Sequence, residues 1–91
     1  MQYLICYDIS ENKVRNKVMK YLEGFAWRIQ YSVFSCETTE QRMVFIKQKL
    51  LELTAASEKC MLLITPMCHA CQGKVWSKGE PLESAPRLIV V

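Results

Sequence analysis

Asp8 is the only aspartate in the chain, and it stands where an apolar, aromatic run, residues 1–7, gives way to a turn. Alternation along a strand puts it on the same face as Leu4 and Cys6. If two copies met through that face about a two-fold axis, their Asp8 carboxylates would approach each other. Paired carboxylates suit a hard cation such as Mg²⁺, with water filling the rest of its coordination sphere. The simpler alternative is that Asp8 supports the turn or the helix start, where Asp is frequent.

Basic residues gather just downstream. Lys13, Lys17 and Lys20 fall within a narrow arc of a predicted helix, Arg15 lies near the edge of its apolar stripe, and Arg28 opens the next strand. From 13 to 28 there are five basic residues and one acidic one, Glu23. Such a ridge suits a phosphate backbone and carries no sequence preference. Doubled by a two-fold axis it gives two basic tracks, which favours a duplex over a short oligonucleotide. A plain solvated helix face is the competing reading.

Cys68 and Cys71 form a CHAC motif, the pattern of a redox pair or half a metal site. His69 is the one histidine and no second ligand pair follows, so a four-ligand zinc site is not available. The motif therefore reads as packing in a turn. Five cysteines, two of them within apolar strand patterns, argue against a disulfide framework. No histidine and nucleophile combination supports acyl transfer.

The elements that must carry these residues follow from periodicity. Residues 1–7 read as a strand. Ser10 is the expected cap of a helix whose Val14, Val18, Tyr21 and Leu22 form one stripe, with Gly24 as its stop. Residues 28–36 (RIQYSVFSC) read as one strand, with Gln30, Ser32 and Phe34 on one face and Ile29, Tyr31 and Val33 on the other. Thr38 and Gln41 fit a capping box before a helix carrying Met43, Ile46, Leu50 and Leu53. Residues 60–65 (CMLLIT) read as a strand stopped by Pro66, residues 74–76 as a short further strand, and residues 87–91 as a last one.

With 91 residues, 51% of them hydrophobic and 23% charged, the chain reads as one globular domain spanning 1–91, with a modest net charge of +3. No apolar run approaches the ~18 residues of a membrane span, and the start is strand-like, so a cytoplasmic protein without membrane association is expected. The element order predicts a ferredoxin-like α+β domain, an antiparallel sheet with two helices on one face. The first and third strands are apolar on both sides, so the uncovered face needs a partner, and a second copy is the simplest one. Residues 87–91 would then extend the partner's sheet.

Three segments, YDIS at 7–10, NKVRNKV at 12–18 and RIQYSVF at 28–34, resemble the CRISPR-associated protein 2 family. ITPMCHAC at 64–71 is similar to that family's third-strand exit, and GEP at 79–81 precedes a final apolar strand. Val14 stands where a second arginine is frequent, and Ala26 where a glycine often precedes the second strand. The resemblance implies a ferredoxin-like homodimer with a divalent metal, Mg²⁺ or another, between two copies of Asp8. It implies a role in spacer acquisition, in which the dimer lies along a duplex DNA prespacer and bridges dimers of the CRISPR-associated protein 1 integrase. Arg15 and Lys17 match its basic positions, and Gln30, Ser32 and Phe34 fall in the second motif as interface residues. Metal-dependent endonuclease activity on RNA or DNA, with Asp8 as catalytic residue and single-stranded RNA as one substrate, is attributed to parts of the family. A toxin-like metal-dependent ribonuclease on the same fold is the alternative.

Overall fold

A computed structural model describes residues 1–79. Its elements run β1 (Gln2–Ile9), α1 (Asn12–Glu23), β2 (Trp27–Gln30), β3 (Val33–Glu37), α2 (Glu40–Thr54), β4 (Cys60–Met67) and a short α3 (His69–Gln72). The four strands form one antiparallel sheet in the order β2-β3-β1-β4, and α1 and α2 cover one side. This is the ferredoxin-like arrangement expected from the element order. No helix among the described residues is long and apolar enough to cross a membrane.

Strand pleating decides what is buried. Tyr3, Ile5, Tyr7 and Ile9 of β1 point toward the helices and are all buried, as are Phe34 and Cys36 of β3. Val14, Val18 and Leu22 of α1 and Met43, Ile46 and Leu50 of α2 close the core from the other side. Burying each of these larger side chains contributes roughly 1.5–3 kcal/mol.

The pattern on the opposite sheet face differs. Leu4, Cys6 and Asp8 of β1 align there with Thr65, Leu63 and Met61 of β4, and Met61 and Leu63 are each about half exposed. Among the described residues nothing covers the Cys6, Asp8, Met61 and Leu63 part of this face, whereas Gln2 and Ser35 at its other end are buried.

Several element boundaries differ from the sequence reading. The first strand runs through Asp8 to Ile9, which leaves Ser10 in the connection and puts Glu11 at the α1 N-cap without a side-chain cap. Arg15 secures that turn instead, donating from one guanidinium nitrogen to the Ile9 carbonyl at 3.0 Å and from the other to Asn12 Oδ1. Thr39, not Thr38, caps α2, its hydroxyl accepting from the Arg42 N–H at 3.1 Å. Gly24 ends α1 in a right-handed conformation, and among the described residues no non-glycine takes a positive φ, so Ala26 fits where a glycine is frequent in the resembled family.

The run 28–36 is a hairpin rather than one strand. It reverses at Tyr31 and Ser32, and the register shifts between Arg28 and Gln30. No glycine or asparagine marks the turn. It is held from outside, by the Tyr7 N–H donating to the Ser32 carbonyl at 3.1 Å and the Tyr7 hydroxyl donating to the Tyr31 carbonyl at 3.0 Å.

Pro66 does not stop β4, which continues to Met67. The strand lies at the sheet edge, where a residue without an N–H is tolerated. Residues 74–76 form no strand, and the single helical turn of α3 precedes them. The expected strand within 87–91 lies outside the described residues.

Candidate functional site

Asp8 sits one residue before the end of β1, exposed on the open sheet face, with Met61 as its cross-strand neighbour. Its immediate surroundings on that face are apolar: Cys6 on its own strand, and Met61 and Leu63 opposite. Among the described residues no three His, Cys, Asp or Glu side chains cluster as a metal site. One carboxylate is a suitable donor for a hard cation but not a ligand set, so the described residues of one chain do not by themselves make a magnesium site. Two chains meeting through this face would supply two Asp8 carboxylates.

The β2–β3 turn lies at the same end of the sheet, because Tyr7, the residue before Asp8, bonds to both of its residues. Burial pushes the Tyr7 hydroxyl above its ordinary value, while the Arg28 and Arg15 guanidinium groups pull it back down. Sequence reasoning placed Tyr7 within a motif but gave it no role. The signal it lacked is the hydroxyl's reach across the sheet to a carbonyl 24 residues away.

The basic residues divide into two sets. Lys13, Lys17 and Lys20 are exposed on the outer side of α1, which packs on the face of the sheet opposite Asp8. Arg15 and Arg28 are engaged within the fold. Arg15 holds the β1–α1 turn, as described. The Arg28 side chain is only 18% exposed, lies 3.8 Å from the Glu23 carboxylate, and packs its guanidinium 5.7 Å from the centre of the Phe34 ring. The free ridge is therefore three lysines, with the arginines beneath and beside it. Val14, in the position where a second arginine is frequent, is buried in the core.

The three second-motif residues also separate. Gln30 is exposed and pairs with Val33, which puts it on the open face, and Ser32 is half-buried in the turn. Phe34 is fully buried against the helices and stacked 6.2 Å from Tyr7. The structure thus makes Phe34 a core residue rather than an interface one, because the turn and the register shift reverse the alternation that a continuous strand would have.

The CRISPR associated protein Cas2 family matches residues 1–75. The chain belongs to this family. A CRISPR-associated endoribonuclease Cas2 of Synechocystis sp. is 46% identical over 90 residues, 97% of each chain. The fold superposes with a TM-score of 0.73 on Streptococcus pyogenes Cas2, at 25% identity, covering 87% of this chain and all of the other. It superposes with a TM-score of 0.74 on a chain of a partial Cas6-RT-Cas1–Cas2 complex, also at 25% identity, covering 99% and 98%. Family membership agrees with the observed sheet order.

Proposed function

We propose that this chain is the Cas2 subunit of a CRISPR spacer-acquisition machine: a homodimer closed through the open sheet face, carrying duplex DNA on the α1 lysines and bridging a Cas1 integrase. The observation that carries the reading is the uncovered face, where Asp8, Met61 and Leu63 stand together while the helices and their lysines lie on the far side. Closing two such faces buries the apolar strip and leaves one lysine ridge on each outer surface, the arrangement that suits a duplex lying across the dimer. The solved relative within a Cas1–Cas2 complex supports the integrase partner.

A second reading has its own support, because the related Synechocystis protein is named an endoribonuclease. In this reading the two Asp8 carboxylates of the dimer hold a divalent cation, which when bound supplies charge neutralisation for phosphodiester hydrolysis. The chain itself supplies Asp8 with the apolar neighbours Cys6, Met61 and Leu63, while the lysines lie on the other side of the sheet. One carboxylate per chain is sparse for this chemistry, so the activity is slow and depends strongly on metal.

Mobility shift of a labelled DNA duplex and of a labelled single-stranded RNA across a salt series, with Mg²⁺ or chelator and with cleavage scored in the same gels, tests both readings. Salt-sensitive binding without cleavage supports the scaffold. Mg²⁺-dependent cutting that disappears in a still-dimeric Asp8→Ala protein supports the nuclease. Absence of nucleic-acid binding by a confirmed dimer overturns both.

A further inference from the structure

The five cysteines fall into two kinds. Cys36 is buried and Cys6 half-buried, and burial pushes both thiols up. Cys60 is half-buried, with its sulfur 3.9 Å from the Ser57 carbonyl oxygen. Such thiols are poor nucleophiles. Cys68 and Cys71 are exposed instead, with their sulfur atoms 3.2 Å apart. The motif lies at the single helical turn of α3, and among the described residues neither side chain is buried as a packing role would require.

The local backbone treats the two sulfurs unequally. Cys68 occupies the N-cap of α3, and its sulfur accepts from the Cys71 N–H at 3.4 Å. In the neutral pair the Cys68 thiol donates to Cys71 Sγ, but once Cys68 ionises its sulfur can only accept, and the Cys71 S–H becomes the donor. The Cys71 thiol and then its main-chain N–H accordingly hold the Cys68 thiol below its ordinary value, while the hydrogen bond with Cys68 holds Cys71 above its own. The helical turn is anchored by Gln72, whose side-chain nitrogen donates to the Met67 carbonyl at 3.0 Å. Beside the sulfurs lies a groove of about 530 Å³, lined by Met43, Val44, Ile64 and Pro66 among its apolar residues and also by the charged Glu40 and Lys47. It gives the organic part of a small disulfide an apolar surface to rest on.

We propose that Cys68 and Cys71 form a thiol–disulfide exchange site for low-molecular-weight disulfides of the glutathione type, with Cys68 as the attacking sulfur and Cys71 as the resolving one. The Cys68 thiolate attacks one sulfur of the small disulfide, forming a mixed disulfide and releasing the first thiolate, which takes up the proton lost by Cys68. Cys71 then loses its proton and attacks Cys68 Sγ, closing the 68–71 disulfide and releasing the second thiolate, which takes up that proton. The protein dithiol is oxidised by two electrons and the small disulfide is reduced to two thiols. Two sulfurs and one histidine do not complete a four-ligand zinc site, and no three-residue ligand cluster stands near them among the described residues, which favours exchange over metal binding.

The full chain, reduced and then equilibrated in buffers of graded glutathione to glutathione-disulfide ratio, is quenched by alkylation and mapped by fragment mass spectrometry. The expected result is an intramolecular 68–71 disulfide that grows with the oxidised fraction while Cys6 and Cys36 remain alkylated. The Cys71→Ser protein should accumulate a glutathione adduct on Cys68 at least about tenfold faster than the Cys68→Ser protein does on Cys71. Far-UV circular dichroism verifies that both variants are folded, which their exposed position at the end of β4 favours. Full alkylation of Cys68 and Cys71 at every ratio, disulfides that form only between chains, or equal adduct rates in the two variants would overturn the assignment.

Discussion

Asp8 faces Met61 across the β1–β4 ladder, so the one aspartate of the chain is set into an apolar strip that continues through Leu63. Leu63 is 48% exposed among the described residues, so it is available to the face-to-face contact of the proposed dimer. Leu63→Glu is expected to weaken dimerisation about 100-fold or more, because it puts two unpaired carboxylates into a desolvated centre. Sedimentation equilibrium measures this directly. A dimer of unchanged affinity would show that the open sheet face is not the interface.

In the proposed dimer, the carboxylate at position 8 would give that contact a metal dependence. Two like charges brought together across an axis repel unless a cation lies between them. The wild-type dimer is therefore expected to dissociate about tenfold more readily in chelator than in Mg²⁺, whereas Asp8→Asn should dimerise equally well in both. Equal metal sensitivity of the two proteins would place the cation elsewhere.

The sequence was most legible where periodicity alone decides the element. The stripes of α1 and α2 identified the core side of the helices, whereas β1, apolar on both sides, did not show which face meets them; that one sheet face is left open followed from counting helices against sheet faces. It was least legible where a distant group overrides the local pattern. The run 28–36 has strand composition throughout, and only the two bonds from Tyr7 reveal that it reverses at Tyr31 and Ser32. That one reversal carried Phe34 to the opposite face from Gln30. Asp8 and the lysine ridge were recognisable from residue type and spacing. The structural duties of Arg15 and Arg28 were not, because charge alone does not distinguish a guanidinium in solvent from one bonded to a carbonyl.

Tyr7→Phe tests the bond that sets this turn. Loss of the hydroxyl donor to the Tyr31 carbonyl should lower stability by about 1 kcal/mol near neutral pH. The alkaline limb follows from the direction of the shift. Burial raises the hydroxyl of folded Tyr7 above 10.0, so its stabilising contribution is intact below that value and is lost as pH rises through the folded pKa. Urea unfolding from pH 8 to 12 should therefore show wild type losing stability more steeply than Tyr7→Phe above about pH 10. Parallel curves would remove Tyr7 as the cause.

The start of α2 offers a contrast between adjacent threonines. Thr39→Ala removes the hydroxyl that accepts from the Arg42 N–H and should cost about 1 kcal/mol. Thr38→Ala leaves the cap in place, and its own main-chain N–H still donates to the Met1 carbonyl, so it should stay within about 0.5 kcal/mol of wild type. Thermal unfolding of the two variants separates them, and the reverse order would move the cap back to Thr38.

The basic residues make a similar contrast for nucleic acid. Lys13, Lys17 and Lys20 are exposed, so replacing all three with Gln should leave the fold intact and weaken duplex binding to a similar extent on every sequence. Each lost phosphate contact should lower the slope of log affinity against log salt by about 0.9. Arg15→Gln should act on the fold instead, because its guanidinium donates to the Ile9 carbonyl and to Asn12, and its loss should cost about 1 kcal/mol of stability. At temperatures where the Arg15→Gln protein is folded, its salt slope should match wild type within error. A steep loss of slope in that variant, with the triple lysine variant unaffected, would move the nucleic-acid track from the outer face of α1 to the β1–α1 turn beside Asp8.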